Sequence, residues 1–214
     1  MRSQFGHALL GLGITAISTV TAYDILQDGP FALHVKGQAE NSSVDGYLHF
    51  VDLPDTFPMV PLQYEPMSTP PVGNETYEFY LNYTAYMVTD EQVRGWLVTD
   101  LTHINRDPRA GFGKAMSLHF TADSNVGFGL LGAGFASFLG FDSSNNISLS
   151  IDFTDAAFVP NVEPTIPEEP INVYNWAVCW QYVNNRYIPA LSWITHGPSH
   201  NPTCERVDLI REAF

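Results

Sequence analysis

Positive charge is scarce in this chain. Nine of its 214 residues are Lys or Arg, against 23 Asp and Glu, which leaves a formal net charge of −14. Only Lys36 and Lys114 are lysines. Such a surface repels nucleic acid and anionic lipid, so neither is expected as a partner. Cysteine is equally scarce. Cys179 and Cys204 are the only two, too few for a disulfide scaffold, so an apolar core has to carry the stability. Helical periodicity is missing, because no stretch of ten or more residues keeps a clean 3.6-residue pattern. Missing too are the G-x-S-x-G elbow and the H-E-x-x-H helix. The sequence therefore assigns no catalytic, cofactor-binding or metal-ligating residue. Disorder is excluded by the opposite balance, with hydrophobic residues at 45% of the chain and charged ones at 15%.

What is present starts at the N-terminus. Arg2 gives a short basic start, Ala8 to Ile17 an apolar run, and Val20-Thr21-Ala22 the small residues that a signal peptidase reads. Residues 1–22 read as a secretory signal peptide, with the mature chain starting near Tyr23. The apolar run is too short for an uncleaved anchor. The end of the chain, Asp208 to Phe214, carries no lipid-anchor tail and no retention tetrapeptide. The expectation is one secreted domain over 23–214 with no membrane span in the mature chain, large enough to bury a core. Four Asn-x-Ser/Thr sequons follow the signal, at Asn41, Asn74, Asn82 and Asn146. These are the candidate glycosylation sites and have to lie on the surface.

About ten short strand candidates separated by turn signals run along the chain, among them Phe31 to Lys36, Gly46 to Val51, Tyr77 to Tyr86, Arg94 to Thr99 and Ala115 to Thr121. They predict an all-β fold, an antiparallel sandwich or barrel, with a trefoil-like barrel as the alternative. Two proline-rich stretches, 54–71 and 160–170, read as loops. Within the first, one short extended piece is expected around Val60 to Tyr64. Val126 to Phe141 is sixteen uncharged residues with five glycines. Gly127, Gly129 and Gly132 have dinucleotide-fingerprint spacing, but no helical pattern follows them. Two short buried strands with glycine bends is the better reading.

The stretch from Tyr174 to Leu209 holds both cysteines and three of the four tryptophans. Read with period two, Tyr174, Trp176, Val178, Trp180 and Tyr182 share one strand face, and Asn175, Ala177, Cys179 and Gln181 the other. Asn184-Asn185 marks a turn, Tyr187 to Thr195 a return strand, His196 to Pro202 a loop, and Cys204 to Ile210 a last strand. A Cys179–Cys204 bridge fits this layout and an oxidising compartment, and would contribute roughly 3 kcal/mol by loop closure. It would close the face away from Trp176 and Trp180. Two unpaired buried thiols are the alternative.

Three weaker patterns bear on chemistry. His196 and His200 are four apart, but Gly197 and Pro198 forbid a helical ligand pair. They read as solvated loop histidines rather than a metal site with His103 or Asp208. Glu168-Glu169 reads as a solvated pair, and carboxylates at glycosidase spacing carry no weight without geometry. The aromatics, 13% of the chain, are core or a sugar-stacking platform. His34, His49 and His119 fall on polar strand faces.

The pattern N-W-x-V-C-W, L-S-W-I and G-P-x-x-N-P-x-C-x-R-V-D-L over residues 175–209, with P-F-A-L-H-V at 30–35 and D-G-Y-L-H-F at 45–50, resembles small secreted fungal proteins of the cell-wall-associated and elicitor-like kind. The resemblance implies a secreted β-rich domain, extracellular or wall-associated, with no catalytic residues to carry over. The expected function is non-catalytic interaction with wall polymer or a host component, the partner being an extracellular polysaccharide or protein. The alternative is a secreted carbohydrate-active hydrolase using paired carboxylates.

Overall fold

The computed structural model describes residues 24–50, 60–89, 92–99, 115–132, 136–154, 158–165, 170–183 and 185–214. The signal segment, Pro54, Pro58, His103, the charged turn at 105–113, Lys114, Glu168-Glu169 and Asn184 lie outside them. The described residues form thirteen strands, β1 (Leu26–Gly37), β2 (Asp45–Phe50), β3 (Val60–Pro66), β4 (Phe79–Tyr83), β5 (Val93–Val98), β6 (Met116–Phe120), β7 (Val126–Leu131), β8 (Phe138–Phe141), β9 (Ile147–Ile151), β10 (Ile171–Val173), β11 (Trp176–Val183), β12 (Arg186–Ile194) and β13 (Glu205–Glu212). Helical structure among them is confined to two 3-10 turns, Glu75–Tyr77 and Ala85–Met87.

The protein is an all-β antiparallel barrel. Seven strands close on themselves in the order β1-β13-β11-β12-β7-β3-β2 and back to β1. Closure removes the exposed edges that an open sheet would present. The remaining strands form an outer sheet, β4-β5-β8-β9-β10, hung on the first half of β1, while β6 pairs with β7. β1 serves both layers because it bends. Its register with β4 shifts between Asp28 and Phe31, where Gly29 stands at φ +130 and a side-chain carbon added to it would lie 2.8 Å from the carbonyl oxygen of Phe79. Only glycine fits there. Leu26 to Phe31 then pairs with β4, and Ala32 to Gly37 with β13. The sequence pattern showed only the second half as strand.

The two layers share one core. Alternation sends Leu33, Val35, Leu48, Leu62, Val207 and Leu209 into the barrel, where each is at most 1% exposed. The outer sheet contributes Phe79, Leu81, Leu139 and Ile147 to the same cluster. Trp176 joins them, packing edge-on against Trp193 with ring centroids 4.8 Å apart. Its indole N–H donates to the carbonyl of Ile147 at 2.6 Å. The turn entering β9 of the outer sheet returns to the barrel, where Asn146 bridges Ile210 and Arg211 N–H donates to the carbonyl of Asn145.

The extended piece expected around Val60 to Tyr64 is a full barrel strand. Its prolines sit where they cost little: Pro61 and Pro66 each lie near an end of β3, and Val60, Leu62 and Tyr64 alternate inward along it. The glycine-rich run is two buried strands, as expected, but they serve different layers, β7 the barrel and β8 the outer sheet.

Candidate functional site

The site arises from a mismatch of lengths. β11 and β12 form a hairpin paired from Trp176↔Trp193 to Val183↔Arg186, closed by the turn whose Asn185 takes φ 61. The pairing puts Trp180, Tyr182, Tyr187 and Pro189 on the same face as Trp176, Val178, Leu191 and Trp193. The second set is core. The first has run past the opposite wall: Trp180 is 44% exposed, Tyr187 60% and Tyr182 70%. Trp180 and Tyr187 stack on each other at 5.1 Å and 29° between planes. One continuous inward-type face therefore changes from core to exposed aromatic strip along the hairpin.

Beside this strip the barrel wall parts. β3 and β12 are paired only at Ala190↔Gln63, and β7 fills the seam at the other end. Past Gln63 a cleft of about 860 Å³ opens between β3 and the hairpin. Val178 and Tyr64 lie in its floor and Trp180 in its wall. The Tyr64 hydroxyl is held by the backbone of Asp45, accepting from its N–H at 3.0 Å and donating to its carbonyl at 3.2 Å.

Two carboxylates border the cleft, Glu65 from β3 and Glu205 from the start of β13. The Tyr77 hydroxyl donates to Oε2 of Glu65, and the Ser42 hydroxyl to Oε1 of Glu205. Oε1 of Glu65 and Oε2 of Glu205 have no protein partner among the described residues. His49 also reaches the cleft. Its ring stacks on Tyr77 at 5.2 Å, and Nε2 lies 3.7 Å from Glu65 without a hydrogen bond. Burial pulls the imidazole below its ordinary value of 6.5, against a smaller opposing pull from Glu65. The imidazole is therefore neutral at neutral pH.

No protein-family model matches the chain, and no match was found among curated proteins or solved structures. The site has to be read from its own chemistry.

Cys179 and Cys204 are joined, with Cα atoms 4.1 Å apart. They continue the β11–β13 register of Val178↔Glu205, directly opposite each other, which brings them closer than the usual 4.4–6.8 Å. The bridge packs with Val126, Ala177 and Ile194 on the outer face of the barrel, away from Trp176 and Trp180. It pins the strand that carries Trp180 to the segment that carries Glu205. Trp180 N–H also donates to the Thr203 hydroxyl at 3.0 Å, and the Asn201 amide donates to the Trp180 carbonyl at 2.9 Å. Buried Asn125 orders the rest of that loop, donating to the carbonyls of His196 and Pro198 and accepting from His200 N–H.

The sequon asparagines are all outside the core. Asn41 and Asn74 are exposed in turns, while Asn82 in β4 and Asn146 at the edge of β9 are partly exposed. The side-chain nitrogen of Asn146 donates to Asp142 at 3.2 Å. His196 and His200 are solvent-exposed, as is His119. No group of three or more His, Cys, Asp or Glu is placed to hold a metal among the described residues. No helix among them is long and apolar enough to cross a membrane. Glu65, Glu205 and His49 were not marked as site residues by sequence. They come from separate segments with no shared motif, and the nearest signal was the alternation that sets Gln63 and Glu65 opposite Leu62 and Tyr64.

Proposed function

We propose that this chain is a secreted, non-catalytic binding protein for an extracellular polysaccharide, of the kind found in or near a fungal cell wall. The observation that carries the reading is the hairpin whose core-type face emerges as the Trp180–Tyr182–Tyr187 strip beside an open cleft. Sugar rings present apolar C–H faces with hydroxyls at the rim. Exposed aromatic planes take the faces, and the polar groups of Gln63, Glu65, Thr203 and Glu205 can take the hydroxyls. A disulfide that fixes this geometry fits an oxidising compartment. The resemblance over residues 175–209 points the same way.

The hydrolase reading draws on Glu65 and Glu205 facing one cleft. A glycosidase needs one carboxyl kept protonated in apolar surroundings. Glu65 has a side chain 47% exposed, and Glu205 is partly exposed, so neither has them.

The test is a glycan-array and wall-polymer pull-down with the secreted protein, repeated with W180A and Y187A. Binding lost in both variants, with folding retained, supports the reading. Binding unchanged in both, or reducing ends released from the bound polymer and lost in E65Q or E205Q, refutes it.

A further inference from the structure

The cleft is lined with charge of one sign. Glu65 and Glu205 are its charged residues, and neither Lys nor Arg is among its described lining residues. The nearest guanidinium in sequence, Arg206, is turned to the outer face and tied to Asn175 and the carbonyl of Gly197. His49 adds no positive charge at neutral pH. Each carboxylate is anchored through one oxygen by a hydroxyl, and its other oxygen has no partner among the described residues. The net charge of −14 extends the same sign over the whole molecule. A neutral sugar would leave two carboxylates facing groups that only weakly compensate them. An anionic sugar would be repelled.

From this charge and the aromatic strip we infer that the ligand is a polymer of amino sugars with free amines, its ammonium groups on Glu65 and Glu205 and its ring faces on Trp180 and Tyr187. The inference rests on the polysaccharide-binding reading above and narrows it to one chemical class. An ammonium donates up to three hydrogen bonds and gains charge assistance from each carboxylate. N-acetylation removes that charge and leaves one N–H donor in place of three, beside an acyl oxygen that the two carboxylates cannot hydrogen-bond. The long-range field speeds the encounter with a polycation, and this contribution falls as salt rises.

The test is titration calorimetry of the intact secreted protein in mildly acidic buffer, where the amines are charged. The probes are glucosamine hexamer, its fully N-acetylated counterpart and a neutral glucan hexamer, each at low and high salt. Glucosamine hexamer should bind at least about tenfold more tightly than either neutral oligomer, as loss of charge-assisted contacts implies. High salt should shrink that margin, and the double substitution E65Q/E205Q should abolish it. W180A should weaken all oligomers together. Equal or tighter binding of the N-acetylated or glucan hexamer in the wild-type protein overturns the amino-sugar assignment, and so does a salt-independent margin. If no oligomer binds, or W180A changes nothing, the polysaccharide reading itself falls. The salt comparison needs no variant, so a misfolded substitution does not decide the outcome.

Discussion

Replacing Cys179 and Cys204 with alanine removes the covalent tie between β11 and the loop entering β13. The bridge closes a segment with a sequence separation of 25. By the chain-entropy relation, opening that loop costs about 3.5 kcal/mol of stability. For a domain of this size each kcal/mol lowers the midpoint by roughly 2–4 °C, so a fall of roughly 7–14 °C is expected in a thermal melt. The location of the loss is set by the pairing. β13 is held on its other side by β1 through six residue pairs, Ala32↔Glu212 to Gly37↔Val207. Its pairing to β11 covers only Ala177↔Arg206 and Val178↔Glu205. Hydrogen exchange should therefore speed up at 196–206 while Val207 to Glu212 stays protected to the level of global unfolding. The mild loosening reaches the cleft, because Glu205 and Thr203 line it. Reduction of the wild-type protein should reproduce most of the loss, which separates loop closure from the missing sulfur atoms. A change below about 1 kcal/mol would refute the loop-closure reasoning. Early exchange along the whole of β13 would refute the account of its two-sided support.

Trp176→Phe should cost about 2–4 kcal/mol in urea denaturation, since it vacates core volume and leaves the buried carbonyl of Ile147 without its donor; a loss under about 1 kcal/mol would mean that the indole does not tie the two layers. Acid stability should carry the mark of His49, whose folded value lies below 6.5 chiefly through burial. Between that folded value and 6.5 the unfolded chain binds more protons, so this contribution is complete above 6.5 and is lost as pH falls through the folded value. H49Q should flatten that part of the stability–pH curve. At the alkaline end Tyr47 is pushed from 10.0 to about 12 by burial, with help from its hydrogen bond to Glu212. Its contribution is complete below 10 and is lost as pH rises through about 12, so Y47F should blunt alkaline unfolding followed by circular dichroism.

Much of the fold was legible because barrel strands obey a period of two. The faces assigned to Trp176, Val178 and Cys179 are the faces they occupy, and the bridge lies on the side that alternation requires. Other parts were hidden by local chemistry. Prolines masked β3, because proline density is a loop signal and only pairing partners show that Pro61 and Pro66 sit at strand ends. The first half of β1 was hidden by the bend at Gly29, which hands the strand from one layer to the other. The candidate site was legible only in its aromatics. Period two grouped Trp180 and Tyr182 with Trp176, but the point where the opposite wall ends is set by β3 leaving β12 after one pair. Glu65 and Glu205 meet at that opening through the barrel closure, and nothing near either residue in the sequence announces it.

The emergent face of the hairpin is the proposed binding surface. The most direct measurement is a titration of the four indole N–H signals by nitrogen–proton correlation spectroscopy as glucosamine hexamer is added. Trp180 stands in the cleft wall, while Trp176 and Trp193 are at most 5% exposed. The signal of Trp180 should move in a saturable way, with those of Trp176 and Trp193 nearly fixed and that of Trp96, on the outer sheet, unchanged. Saturable binding with Trp180 unmoved, or with Trp96 as the responding signal, would contradict the account.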